Sequence, residues 1–170
     1  MNIGLLLVRL VVGLTLSSHG AQKLFGWFGG YGIAGTGAFF ESKLGLRPGK
    51  VHAVLAGLTE MGSGLLLALG LATPFAATGF IAVMLVAVMT VHKPNGFFVT
   101  ANGYEYNLVL GSSALGIAFI GPGAWSLDAV LGWSLRGWPW GLAALVAGVG
   151  LGLGNLALRG EPAPAPAAKT

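Results

Sequence analysis

The chain has no cysteine among its 170 residues. Disulfide exchange, thiolate catalysis, Cys-ligated iron–sulfur clusters and c-type haem attachment within this chain are thereby excluded. Charge is scarce too. Asp, Glu, Lys and Arg make up 8% of the residues, and none occurs over 61–91, 106–127 or 137–158. A water-soluble domain of this length needs far more polar surface than that. With 55% of its residues apolar, the chain reads as a membrane protein. The formal charge of +4 comes from scattered Lys and Arg, which fits a membrane-surface bias and not nucleic-acid binding. There is no complete nucleophile–base constellation and no nucleotide-binding loop.

What is abundant is glycine, with 30 residues. In an apolar chain it points to helices packed closely through small residues. A hydrocarbon core of about 30 Å takes about 20 helical residues, and five segments qualify: Ile3–Leu24, His52–Leu71, Pro74–Val91, Tyr104–Ile120 and Pro139–Leu158. The first lacks a basic leader and a clear cleavage site and carries Arg9 inside its apolar run, so it reads as a retained span. Only Ala72-Thr73 separates the second and third, which predicts a tight hairpin. Pro74 suits a helix start, and Gly121-Pro122-Gly123 stops the fourth span. Between the first two spans, a Gly- and aromatic-rich stretch from Gly26 precedes a short surface helix over Thr36–Leu46. Ser126-Leu127-Asp128 looks like a helix start, with a short interfacial helix running through Leu135. Gly150/Gly154 and Ala143/Ala147 are small-residue steps suited to close helix contact, within the chain or with a partner, which gives the last span a packing role. The Pro/Ala-rich tail is expected to be disordered.

Lys23, Lys43, Arg47, Lys50, Lys93, Arg159 and Lys169 fall on one face of such a bundle, against Arg136 and Arg9 on the other. This puts the N-terminus outside and the C-terminus in the cytoplasm. Trp125, Trp133, Trp138 and Trp140 read as an interfacial belt. Phe97 and Phe98 suit either that role or the lining of a ligand site.

The alternating direction of the spans brings His19, Gln22, Lys23, His52, His92, Lys93, Glu105 and Asn107 to one end. His19, Gln22 and Lys23 share a helix face by their spacing. Arg9 and Glu60 lie deeper, where a lone charge is costly, and they are expected to pair between the first and second spans. Three chemistries compete for the histidine end. A metal site would draw on His19, His92 and Glu105. A bis-His haem would use His19 and His92. A quinone site needs an apolar, aromatic-lined cleft with a His or carboxylate to exchange protons, and it fits most easily. The same residues would also serve as a plain hydrogen-bonded bundle end.

The ordered motifs HGAQKLFGWFGGYG at 19–32, EMGSGLLLALGLATP at 60–74, HKPNGFF at 92–98, GYEYNLVL at 103–110 and GPGAWSLD at 121–128 resemble the DoxX family. The resemblance implies a four-helix membrane core related to subunits of quinone-linked sulfur-oxidising complexes of the DoxD/DoxX type. Carried over by position, its polar set is Arg9, His19, Gln22, Lys23, Glu60, His92, Glu105 and Asn107. The last span departs from that pattern.

The expected architecture is all-α, a polytopic membrane helical bundle. Residues 1–128 form a DoxX-like four-helix core, 129–158 an interfacial segment and fifth transmembrane helix, and 159–170 a disordered tail. The expected function is an integral plasma-membrane subunit of a redox or respiratory system, quinone-contacting and non-catalytic or co-catalytic. Its relay or ligand-binding residues are His19, Gln22, Lys23, His92, Glu105 and Asn107, around a buried pair of Arg9 and Glu60. Quinone is favoured over haem or a metal. Expected partners are the lipid bilayer, redox-complex subunits and a second copy of the chain. The alternatives are a small-solute transporter or channel, and a structural assembly partner.

Overall fold

The computed structural model describes residues 2–162, so Lys169 and most of the expected Pro/Ala tail lie outside the described residues. Helix α1 (Asn2–Phe25) buries one stripe at helical spacing, Arg9, Val12, Gly13, Leu16, Ser17, Gly20 and Ala21. Leu7, Val11 and Leu14 on its other side are exposed, as a lipid-facing surface should be. Helix α3 (Gly49–Leu69) runs antiparallel against that stripe. A Cβ on Gly13 would meet Gly64 O at 2.5 Å and Ala68 N at 2.7 Å, and one on Gly20 would strike the backbone of Met61 and Gly57. The two backbones touch because glycine lets them, which is how membrane helices gain packing without a hydrophobic driving force.

Helix α2 (Gly32–Leu44) starts four residues before the expected surface helix. Gly45, with φ of 70°, ends it. Its Glu41 carboxylate accepts from Gly49 N at 3.0 Å and so caps α3. The expected hairpin is present, with Gly70, Leu71 and Ala72 as its link. Helix α4 (Thr73–Ala87) carries Pro74 in its first turn. It continues through a π-helical turn at Val88–His92 into a 3₁₀ turn at Lys93–Asn95. Helix α5 (Glu105–Ile120) ends at Gly121-Pro122-Gly123, where both glycines have positive φ. Ser126 then caps the short α6 (Leu127–Val130), its Oγ accepting from Ala129 N at 3.2 Å. The interfacial helix expected through Leu135 stops at Val130, and Gly132 at φ 70° turns the chain out of the helical path.

Helix α7 (Trp138–Ala157) occupies the segment expected to form the last span, and it packs on α4 and α5. Its buried small residues are Gly141, Ala144, Gly148 and Gly152. Within the chain, this register makes contact through other small residues than the expected steps. A Cβ on Gly148 would meet Ile81 at 2.6 Å and one on Gly152 would meet Leu85 at 2.9 Å, whereas Gly150 and Gly154 face open space and Ala143 and Ala147 are exposed. The bundle centre holds Leu16, Leu67, Ala77, Phe80, Ile117 and Ala144.

The described residues are helical, apart from connecting turns and one isolated backbone bridge between Leu46 and Arg159. Four segments are long and apolar enough to cross a membrane: 2–25, 49–69, 73–95 and 138–157. Helix α5 is the short one. Its 16 residues extend about 24 Å at 1.5 Å per residue, less than a typical hydrocarbon core.

Candidate binding cavity

Small side chains on facing helices leave room between α3 and α4. Ala56 on one helix, with Gly79 and Ala82 on the other, lines a cavity of about 840 Å³. Helix α2 covers one side, α7 closes another and the end of α1 adds a polar edge. Most of the wall is apolar. The rim includes Phe39, Leu55 and Leu151, which are 44%, 53% and 61% exposed, so the opening is greasy where a bilayer would meet it. This is the size and character of a small-molecule site.

Into this apolar wall projects one ion pair. Lys23 Nζ donates to Glu60 Oε2 at 2.6 Å, and both residues line the cavity. Glu60 sits in the middle of α3 and is buried. Lys23 is in the last turn of α1, and its long stem carries the ammonium inward to the carboxylate. The pair meets the requirement that a charge at membrane depth have a partner.

The partner is not the one expected. Arg9 does not pair with Glu60. Its guanidinium donates to Pro122 O and, at 2.6 Å, to Trp125 O, tying α1 to the loop after α5. The reason is register. Gly13 lies against Gly64 and Ala68, and Gly20 against Gly57 and Met61. By that register Glu60 comes level with residues 17–21 of α1, some 8 to 12 residues from Arg9, or about 12–18 Å along the axis. Near Arg9's end, Asp128 performs a second service that its sequence position hides. Its carboxylate accepts from Ala72 N at 2.7 Å, Thr73 N at 3.2 Å and Thr73 Oγ1 at 2.7 Å. It therefore caps α4 from 55 residues away, beyond any role in its own short helix.

The remaining expected residues divide. Gln22 and His92 line the cavity with Lys23. Gln22 Nε2 also donates to Phe28 O at 3.2 Å, steadying the Trp27–Gly29 turn. His92 Nδ1 donates to Asn102 O at 2.9 Å, which leaves Nε2 without a partner among the described residues. His19, Glu105 and Asn107 do not line the cavity. His19 Nε2 lies 3.3 Å from Tyr106 Oη, with the rings edge to face. Glu105 Oε2 accepts from Val99 N at 2.9 Å and closes the loop before α5. Asn107 is buried with its Nδ2 at 3.5 Å from Met84 Sδ. The His19, His92 and Glu105 set weighed for a metal thus stays dispersed, and among the described residues no three His, Asp or Glu gather for one. His19 and His92 likewise do not share a cavity as a haem pair would need. Phe97 packs edge to face on Phe98 and Tyr104, in the loop and not in the lining.

Two further polar lining residues stand beside the expected relay set: His52, which the span directions place at this end, and Asn155, which they do not. His52 is buried and Asn155 half-buried, and Asn155 Nδ2 lies 3.5 Å from His52 Nδ1. The signal for Asn155 was its isolation, as the single amide in an apolar helix of 20 residues.

The DoxX family model matches residues 4–93 of the chain. That segment runs from α1 through the end of the α4 spiral and contains Lys23, His52, Glu60 and His92, while α7 lies beyond it. No curated protein and no solved structure gives a significant match.

Proposed function

The chain belongs to the DoxX family, and from that premise we propose that it is an integral membrane subunit of a redox or respiratory system that contacts a quinone. It acts without its own turnover or beside a catalytic partner subunit. The observation that carries this reading is the Lys23–Glu60 pair, set 2.6 Å apart in the wall of a cavity whose rim is apolar. An amphiphile entering from the bilayer leaves its tail among Phe39, Leu55 and Leu151 and brings its headgroup to the pair. Lys23 offers a charge-assisted hydrogen bond to a ring oxygen. Glu60 holds or accepts a proton beside it, and His92, with a free Nε2, extends the route toward the end of α4. Gln22 frames the same end.

Five spans complete the proposal, with α5 as a short fourth that a local thinning of the bilayer accommodates. The family-like core then runs to residue 128, within α6, and residues 129–158, with α7, form an appended unit. The basic residues Lys23, Lys43, Arg47, Lys50, Lys93 and Arg159 support placing their face in the cytoplasm of a plasma-membrane protein.

Titration of a short-tailed ubiquinone analogue into the detergent-purified protein tests this. Saturable binding is expected, with Lys23→Met and Glu60→Gln each weakening it at least about tenfold, the worth of a hydrogen bond to a charged group. His19→Ala, outside the cavity, leaves it unchanged. Absence of saturable binding to the wild-type protein would end the reading.

A further inference from the structure

We propose that His52 and Asn155 form a second hydrogen-bonding pole of the cavity, so that it selects a planar ring bearing two opposed oxygens over one bearing a single oxygen. This rests on the quinone reading above and adds a residue from α7, outside the segment that the family model matches.

Both residues line the cavity, and His52 is only 7% exposed. A polar ring and an amide in so apolar a wall cost free energy unless they are hydrogen-bonded. They serve each other only in part. Asn155 Nδ2 donates to His52 Nδ1 across 3.5 Å. With Nδ1 accepting, the neutral ring carries its proton on Nε2, and Nε2 has no hydrogen-bond partner among the described residues. His52 therefore offers the cavity a donor, and Asn155 is the positioning residue that sets it.

The distance between the two poles suits the ring. His52 and Glu60 stand on the same helix eight residues apart, about 12 Å along the axis and about 80° around it. A six-membered ring with an oxygen at each end, and a hydrogen bond of about 2.8 Å at either side, fills an interval of that order. One oxygen meets Lys23 and Glu60, and the other meets His52. A ligand with one oxygen leaves His52 Nε2 unsatisfied. The α7 end is tied to the end of α2, since Arg159 Nε donates to Leu44 O at 2.7 Å and Gly160 N to Gly45 O at 2.8 Å.

The experiment compares two probes on the full chain in detergent: a short-tailed benzoquinone and a tail-matched phenol that keeps one ring oxygen. The wild-type protein should prefer the quinone about tenfold, the order of one buried hydrogen bond. His52→Leu and Asn155→Leu should bring that ratio near one by weakening the quinone while the phenol still binds, a pattern that general loss of structure does not produce. Should His52→Leu lose both probes, Asn155→Leu, on the half-buried edge of α7, decides alone. A preference that survives Asn155→Leu, or a wild-type protein that does not discriminate, overturns the second pole and leaves the Lys23–Glu60 reading standing. A wild-type protein that binds neither probe overturns both.

Discussion

Lys23 and Arg9 show how two cations on one helix acquire different duties. Lys23 satisfies the one carboxylate at the cavity wall, and Arg9 staples α1 to two carbonyls of the loop before α6. A double-mutant cycle separates these roles. Lys23→Met and Glu60→Gln should couple by about 1–3 kcal/mol, whereas Arg9→Gln and Glu60→Gln should add to within about 0.5 kcal/mol. Thermal unfolding in detergent, followed by tryptophan fluorescence, reads both cycles. Coupling of Arg9 to Glu60 would contradict the register described. The residue types and their depth were legible from the rarity of charge alone. Their partners were not, because Arg9 binds backbone carbonyls, which leave no trace in side-chain identity, and because Lys23 reaches a turn deeper than its own position. Depth also gathered His19, Glu105 and Asn107 with the true lining residues, yet depth says nothing about which neighbouring helix a side chain faces.

At the scale of the elements, backbone contact decides where a methyl group is tolerated. Gly20→Ala and Gly148→Ala place a Cβ against the backbone of α3 and against Ile81, and each should lower the melting temperature and the folded yield. Gly150→Ala and Gly154→Ala, facing open space, should be neutral or gain up to about 1 kcal/mol from helix propensity. Asp128→Asn weakens three hydrogen bonds at the start of α4 and should cost about 1–3 kcal/mol, read in the same unfolding assay. The long helices, the breakers and the hairpin followed from apolar length, Pro and Gly, whereas the start of α2 and the end of α6 did not. The choice between Gly148/Gly152 and Gly150/Gly154 did not, since both pairs have the same spacing and only the partner surface tells them apart. Asp128 as a cap for α4 was hidden for a related reason, as capping across 55 residues has no local pattern.

Residues 2–162 form a bundle whose outer face is apolar and whose charges turn inward or toward the ends. Its membrane character was plain from composition. The cavity was not, because a void depends on what small residues such as Ala56, Gly79 and Ala82 fail to fill, and on α7 arriving to close one side. The most direct test of the account is photolabelling of the membrane-embedded protein with an azido-quinone, followed by mapping of the modified peptides. The account predicts saturable label on the cavity-facing residues of α3 and α4, around Thr59, Glu60 and Val83, reduced by Glu60→Gln and displaced by unlabelled quinone. Label spread without saturation over the lipid-facing sides of α1 and α5 would contradict it.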